Sequence, residues 1–153
     1  MGGKNVTKRF KLRHLVENLE SMLGSEARFL QRNPEFRSDV AFRRDVFRFA
    51  GLLASRLRES EHLQQKRGVN PYDLISVADK ALFDLKNGNL LPKEHQPLVT
   101  PRKDAAHYDK LFSHLPTIAE FVAGKEFAEQ VRKTLELRER LKERFKGDFD
   151  KPL

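Results

Sequence analysis

The residues of this chain whose types and spacing could do chemistry are a set of arginines and a few histidine patterns. The arginines lie in and beside the stretch VAFRRDVFRFAGLLASRLR, residues 40–58. At about 100° per residue, Phe36, Val46, Phe47, Ala50, Leu53, Ala54 and Leu57 fall on one half of a helical wheel. Arg37, Arg44 and Arg48 fall together on the other half, within about 40° of one another. A row of guanidinium groups suits a polyanion, because each planar fork can bind two phosphate oxygens at once. Ser55 continues the row and Gly51 lies beside it, so small residues would let a flat surface approach. The competing explanation is a solvated face that keeps the protein soluble. Arg43 instead falls in the apolar half, four residues after Asp39, which is the spacing of a helical ion pair. Two further patterns, Glu59-x-x-His62 and Asp104-x-x-His107, have the spacing that di-iron bundles use for metal ligands. Glu59 and His62 project from the polar side of their helix, and His107 and His114 stand two turns, about 10 Å, apart. Neither arrangement makes a metal site, and no cofactor is expected.

The segment RKDAAH, residues 102–107, resembles the Arg-x4-His motif of the all-helical HEPN ribonucleases. The resemblance covers six residues at the start of a predicted helix. It implies that Arg102 would hold a scissile phosphate and His107 would assist proton transfer. Lys103 follows the arginine, where those enzymes usually carry a polar residue. They also act as dimers, which no feature of this sequence indicates. A second segment, VADKALFDLKNGN at residues 77–89, resembles the closing helix of GGDEF-type cyclic-dinucleotide synthases. No GGDEF-like sequence and no strand pattern accompany it, so that likeness ends with one amphipathic helix. No Walker loop, Rossmann glycine pattern or nucleophile elbow is present.

The charge balance points to a partner rather than to a reaction. The net charge is +8, from 30 Lys and Arg against 22 Asp and Glu. Residues 1–15 carry Lys4, Lys8, Arg9, Lys11 and Arg13 with no acid, and residues 34–68 carry eight basic side chains against five acidic ones. These two segments supply the whole excess. Such a balance favours nucleic acid, an anionic surface or an acidic protein. Lys8, Arg9 and Lys11 flank Phe10, an interleaving that single-stranded nucleic-acid binders use. The plain alternative is that Phe10 opens the apolar stripe of the first helix.

With 153 residues the chain fits one domain, and twelve phenylalanines compensate for a hydrophobic share of 39%. Cysteine is absent, which excludes disulfides and zinc–thiolate sites and suits a cytoplasmic protein. No apolar run reaches the roughly 18 residues of a membrane span, and no apolar signal core follows the basic start. Gly2 invites myristoylation, but Val6 stands where the motif wants Ser or Thr.

The elements that must position these residues all read as helices. The apolar spacing predicts a helix from Thr7 to Leu23, a short one from Ser25 ending before Pro34, and a long central one from about Pro34 to Lys66. Asn70, Pro71 and Asp73 mark the start of another, with a left-handed exit at Asn87-Gly88. After a proline-rich connection, Thr100-Pro101 opens a helix to about Leu115, and Thr117 with Glu120 forms a capping box for the next. A break is expected at Gly124, where the apolar face changes phase, followed by a helix to about Phe145. In that last helix Phe127, Val131, Leu135, Leu141 and Phe145 share a face, and Glu129–Lys133 and Glu136–Arg140 are favourable pairs.

The expected fold is therefore all-α, one irregular bundle of about five to seven helices around a long central one, with residues 1–6 and 147–153 flexible. The leading functional expectation is a non-catalytic protein that engages nucleic acid or another polyanion through Arg37, Arg44 and Arg48, assisted by Lys8, Arg9, Lys11 and Arg13. The second is a protein–protein adaptor that uses the last helix through residues such as Leu137 or Phe149. The third is the helical ribonuclease.

Overall fold

A computed structural model describes residues 9–87 and 105–150, with side chains through residue 144. The expectations placed on Lys4, Lys8, the proline-rich connection, Arg102 and Asp104 lie outside these residues, and that on the Phe149 side chain lies outside the described side chains. The described chain forms α1 (Leu12–Leu23), α2 (Glu26–Arg32), a 3₁₀ turn (Pro34–Phe36), α3 (Val40–Glu59), α4 (Glu61–Gln64), α5 (Pro71–Lys86), α6 (Ala105–Ser113), α7 (Leu115–Ala123) and α8 (Lys125–Asp150). Apart from the single turn of α4, seven α-helices make an all-α bundle, as the periodicity predicts.

The central helix is shorter than the sequence pattern suggests, because side-chain caps interrupt it at both ends. Asp39 adopts an extended conformation and accepts a hydrogen bond from the Phe42 amide at 3.0 Å, which starts α3. Ser60 does the same for the Leu63 amide at 3.2 Å and separates α4. Both residues offer the backbone an alternative to continuing the helix. The first helix is also shorter. Phe10 lies in an extended segment that exchanges two backbone hydrogen bonds with Val69, at 2.9 and 2.8 Å. Gly68 permits this pairing, since a Cβ there would stand 3.2 Å from Arg9 Cβ and 3.3 Å from the Phe10 carbonyl.

Other boundaries follow local chemistry. Asn70 and Asp73 form the reciprocal capping box of α5, with Pro71 in its first turn. Asn87 caps α5 with φ −95°, its side-chain amide donating to the Phe83 carbonyl at 2.8 Å, and Gly88, on which the expected left-handed exit depends, lies outside the described residues. The Thr117 capping box is not formed: α7 starts three residues earlier, after His114, which leaves Thr117 inside the first turn. Gly124 takes φ +93°, ψ 170°, a conformation that side chains strongly resist, and separates α7 from α8 as the phase change requires. The backbone of α8 continues as helix to Asp150, past the expected end at Phe145 and into the residues expected to be flexible.

The core is one contiguous cluster. Phe29 is fully buried at its α2–α3–α7 junction and meets Phe36, Phe47 and Phe121 with ring centroids 5.4–5.5 Å apart. Leu15, Leu19 and Met22 of α1 and Val46, Phe49, Leu53 and Leu57 of α3 complete its centre. Burying a side chain of this size contributes about 1.5–3 kcal/mol. α8 packs on α7 through Phe127 and Val131, then runs along α5. Leu141, on the same predicted face as Phe127 and Val131, is 43% exposed while those two are fully buried. No helix among the described residues is long and apolar enough to cross a membrane.

Candidate functional site

The arginine row does not survive folding intact. Arg37 and Arg44 are exposed and form no ion pair with a described residue. Arg48 is turned inward, its side chain only 15% exposed, and donates from Nη1 to Asp45 Oδ1 at 2.9 Å. Its Nη2 is buried without a hydrogen-bond partner among the described residues. The reason is α6, which packs beside this flank of α3 and brings His107 Nε2 within 2.6 Å of Asp45 Oδ2. Asp45 thus joins Arg48 to His107 in a buried chain that the wheel, which knows only one helix, does not contain. The other arginines of α3 are committed between elements. Arg43 lies 3.3 Å from Glu26 of α2, where the spacing pointed to Asp39. Arg56 grips Asp84 of α5 with two bonds of 2.6 and 2.7 Å, and Arg58 meets Glu20 of α1 at 2.6 Å. Arg56 is held further toward its charged form by the hydrogen bond and charge of Asp84, against its own desolvation.

The histidines sit in the same wall. The His107 ring is buried edge-to-face with Phe42 at 5.6 Å and Tyr108 at 5.2 Å. The nitrogen facing Asp45 is therefore engaged inside the fold, not presented to a phosphate. His114 packs on Phe36 at 4.9 Å and Phe42 at 5.6 Å, and Lys110 Nζ lies 4.6 Å from the centre of the Phe42 ring. Burial, aided by the Lys110 charge and opposed by Glu35, holds the His114 imidazole below its ordinary pKa. Glu59 and His62 are both exposed. Among the described residues no three metal-ligating side chains come together.

The two basic patches lie at opposite ends of α3. Arg37 precedes its first residue, whereas the Phe10–Val69 pairing ties Arg9, Lys11 and Arg13 to the segment after its last turn. Twenty residues of α3 put about 30 Å between them. The same pairing sets Gly68, the neighbour of the exposed Arg67, against Arg9, a proximity that spacing in the sequence does not reveal. Arg13 is 3.4 Å from Glu17.

Comparison with protein-family models, with curated proteins and with solved structures gives no match to this chain.

A different surface emerges on α5 and α8. Among the described residues five large apolar side chains are exposed, Val40, Tyr72, Phe83, Leu137 and Leu141, and the last four all lie on these two helices. Tyr72, Ile75 and Ser76 of α5 face Thr134, Leu137 and Leu141 of α8 across a cavity of about 490 Å³. Its floor carries Asp79, bonded to Arg138 at 2.8 Å. Beyond that ion pair a second cavity, of about 1080 Å³, runs between α5, α6 and α8 past Leu82, Phe112 and Leu135. Arg138 also lies 5.5 Å from the centre of the Phe112 ring, so both hollows share one fixed side chain. In α8, Arg132 pairs with Glu129 and with Glu136, replacing the four-residue pairs read from the sequence. The arrangement offers apolar surface in a concave setting and no assembled nucleophile, base or metal among the described residues.

Proposed function

We propose that this chain is a protein-binding module that receives its partner on the α5/α8 face. The observation that carries this reading is the placement of the exposed Tyr72, Leu137 and Leu141 around one hollow. Exposed large apolar groups scattered singly over a surface need no explanation, but a set gathered around one concavity marks an interaction site. Two antiparallel helices with a hollow between them accept a further helix as readily as they accept each other. The test is co-purification of the full chain against a Leu137→Asp/Leu141→Asp variant. A discrete protein partner that stays bound at about 0.5 M salt and is absent with the variant supports the reading. Identical companions for both chains reject it.

A second reading keeps the polyanion, moved from the α3 row to the N-terminal patch. It is favoured by the Phe10–Val69 backbone pairing, which joins the segment of Arg9 and Lys11 to the segment of the exposed Arg67. On this reading Arg37 and Arg44, at the far end of α3, contribute little, and Arg48 contributes to stability instead. Single-stranded RNA binding, followed by anisotropy, should weaken steeply with salt and disappear in an Arg9→Glu/Lys11→Glu/Arg67→Glu variant. An unchanged affinity in that variant removes this reading.

A further inference from the structure

We propose that the occupant of the α5/α8 groove is an acidic amphipathic helix, an inference that rests on the protein-binding reading above. The lining residues set its length. Tyr72 to Asp79 spans seven steps and Thr134 to Lys142 eight, about 11–12 Å or two helical turns. A helix lying there would present apolar anchors at i, i+4 and i+7.

Charge selects among the possible occupants. All three acids of α5 are already neutralised within the fold: Asp73 by Lys66, Asp79 by Arg138 and Asp84 by Arg56. From residue 132 to residue 144, α8 carries six basic side chains and three acidic ones. Lys133 and Arg140 fall within about 60° of Leu137 on the α8 wheel; both are exposed, and Lys133 also acts on Glu129, the acid that Arg132 already pairs. Lys80 adds a further exposed cation on α5. The apolar anchors therefore stand in a basic rim. A second copy of this chain, docking through its own α8, would set Lys133 and Arg140 against their like, which disfavours self-pairing. A phosphate backbone has nothing to place against Leu137 and Leu141. An anionic lipid surface would match the charge, but it is taken up by a convex amphipathic face and not by a hollow between two helices. Glutamate or aspartate flanking leucine or phenylalanine anchors satisfies both the hollow and its rim.

The experiment is a phage-displayed library of helical 16-residue peptides, selected on the full chain, on the Leu137→Asp/Leu141→Asp variant and on a Lys133→Glu/Arg140→Glu variant. All substituted positions are on the surface, and circular dichroism checks that each chain is folded. The full chain should enrich peptides with apolar residues at i, i+4 and net negative charge. The leucine variant should lose them, and the charge-reversed variant should bind the same synthetic peptides about tenfold more weakly. Enriched peptides that are neutral or basic, yet still depend on Leu137 and Leu141, overturn the acidic occupant and leave the groove reading standing. No enrichment over the leucine variant overturns both. A parallel arm uses phosphatidylserine/phosphatidylcholine vesicles, and binding there that is lost in the leucine variant would assign the face to a lipid surface and overturn the proposal.

Discussion

Replacing Arg48 by Met separates a buried tether from a free phosphate ligand, and its size follows from the geometry. The substitution removes the 2.9 Å bond to Asp45, whose side chain is only 10% exposed. A hydrogen bond to a charged group contributes about 1.5–3 kcal/mol, and leaving its buried partner unsatisfied costs more. Two features reduce the loss. Asp45 keeps its 2.6 Å contact with His107, and the unpartnered Nη2 disappears along with the arginine. A net destabilisation of about 2 kcal/mol remains. Arg44→Met, four residues away on the exposed flank, should stay within about 0.5 kcal/mol. Urea unfolding followed by circular dichroism reads both. With a slope of about 2 kcal/mol per molar, Arg48→Met should lower the midpoint by about 1 M and Arg44→Met by no more than about 0.25 M. A double-mutant cycle with Asp45→Asn should show coupling of about 1–2 kcal/mol. Equal midpoints for the two arginine variants would refute the buried chain and return Arg48 to the surface row.

His114 ties stability to pH. Its folded pKa lies below the ordinary 6.5, so the unfolded chain binds the extra proton first. Stability then rises with pH from the folded value up to about 6.5 and is lost on acidification through that window. Melting temperature should therefore fall between pH 7.5 and 5.5 more for the native chain than for His114→Gln, and parallel profiles would contradict the assignment. Gly124→Ala should cost about 1–3 kcal/mol in urea unfolding, because φ +93° strains any side chain although no atom obstructs the new methyl; a neutral result would mean that α7 and α8 can rejoin at no cost. Gly68→Ala should increase amide exchange at Phe10 and Val69, since its Cβ would press on Arg9 and the Phe10 carbonyl; unchanged protection would show that the segment adjusts.

What the sequence disclosed divides along physical lines. Features set by contiguous residues were legible: the Asn70 cap, Pro71 at the start of α5 and the break at Gly124 each depend on a few neighbours. Caps that compete with a strong apolar period, at Asp39 and Ser60, were not, because a helical stripe passes through them unchanged. Contacts between elements were invisible for a simpler reason. Arg48 looks outward on a wheel of one helix, and only the packing of α6 supplies His107 and turns Asp45 into a shared acceptor. Phe10 read as helix because its partner, Val69, is fifty-nine positions away. In α8, Leu137 was recognised as an interface candidate, but Leu141 was read only as one position of the apolar stripe shared with Phe127 and Val131. The helix continues as a partly exposed helix along α5, so positions with core-like spacing face solvent there. Tyr72 and Phe83 carried one usable signal, since both lie on the side of the α5 wheel opposite Leu74, Ala78, Ala81 and Leu85.

The most direct test of the account is photo-crosslinking in living cells from the α5/α8 face. Benzoylphenylalanine placed at Leu137 should give a discrete protein adduct that is lost when Leu141→Asp is added, while the same group at Glu61, on exposed α4, should give none. Adducts of equal intensity from both positions, or an adduct from Leu137 that persists with Leu141→Asp, would contradict the assignment of this face as the docking surface.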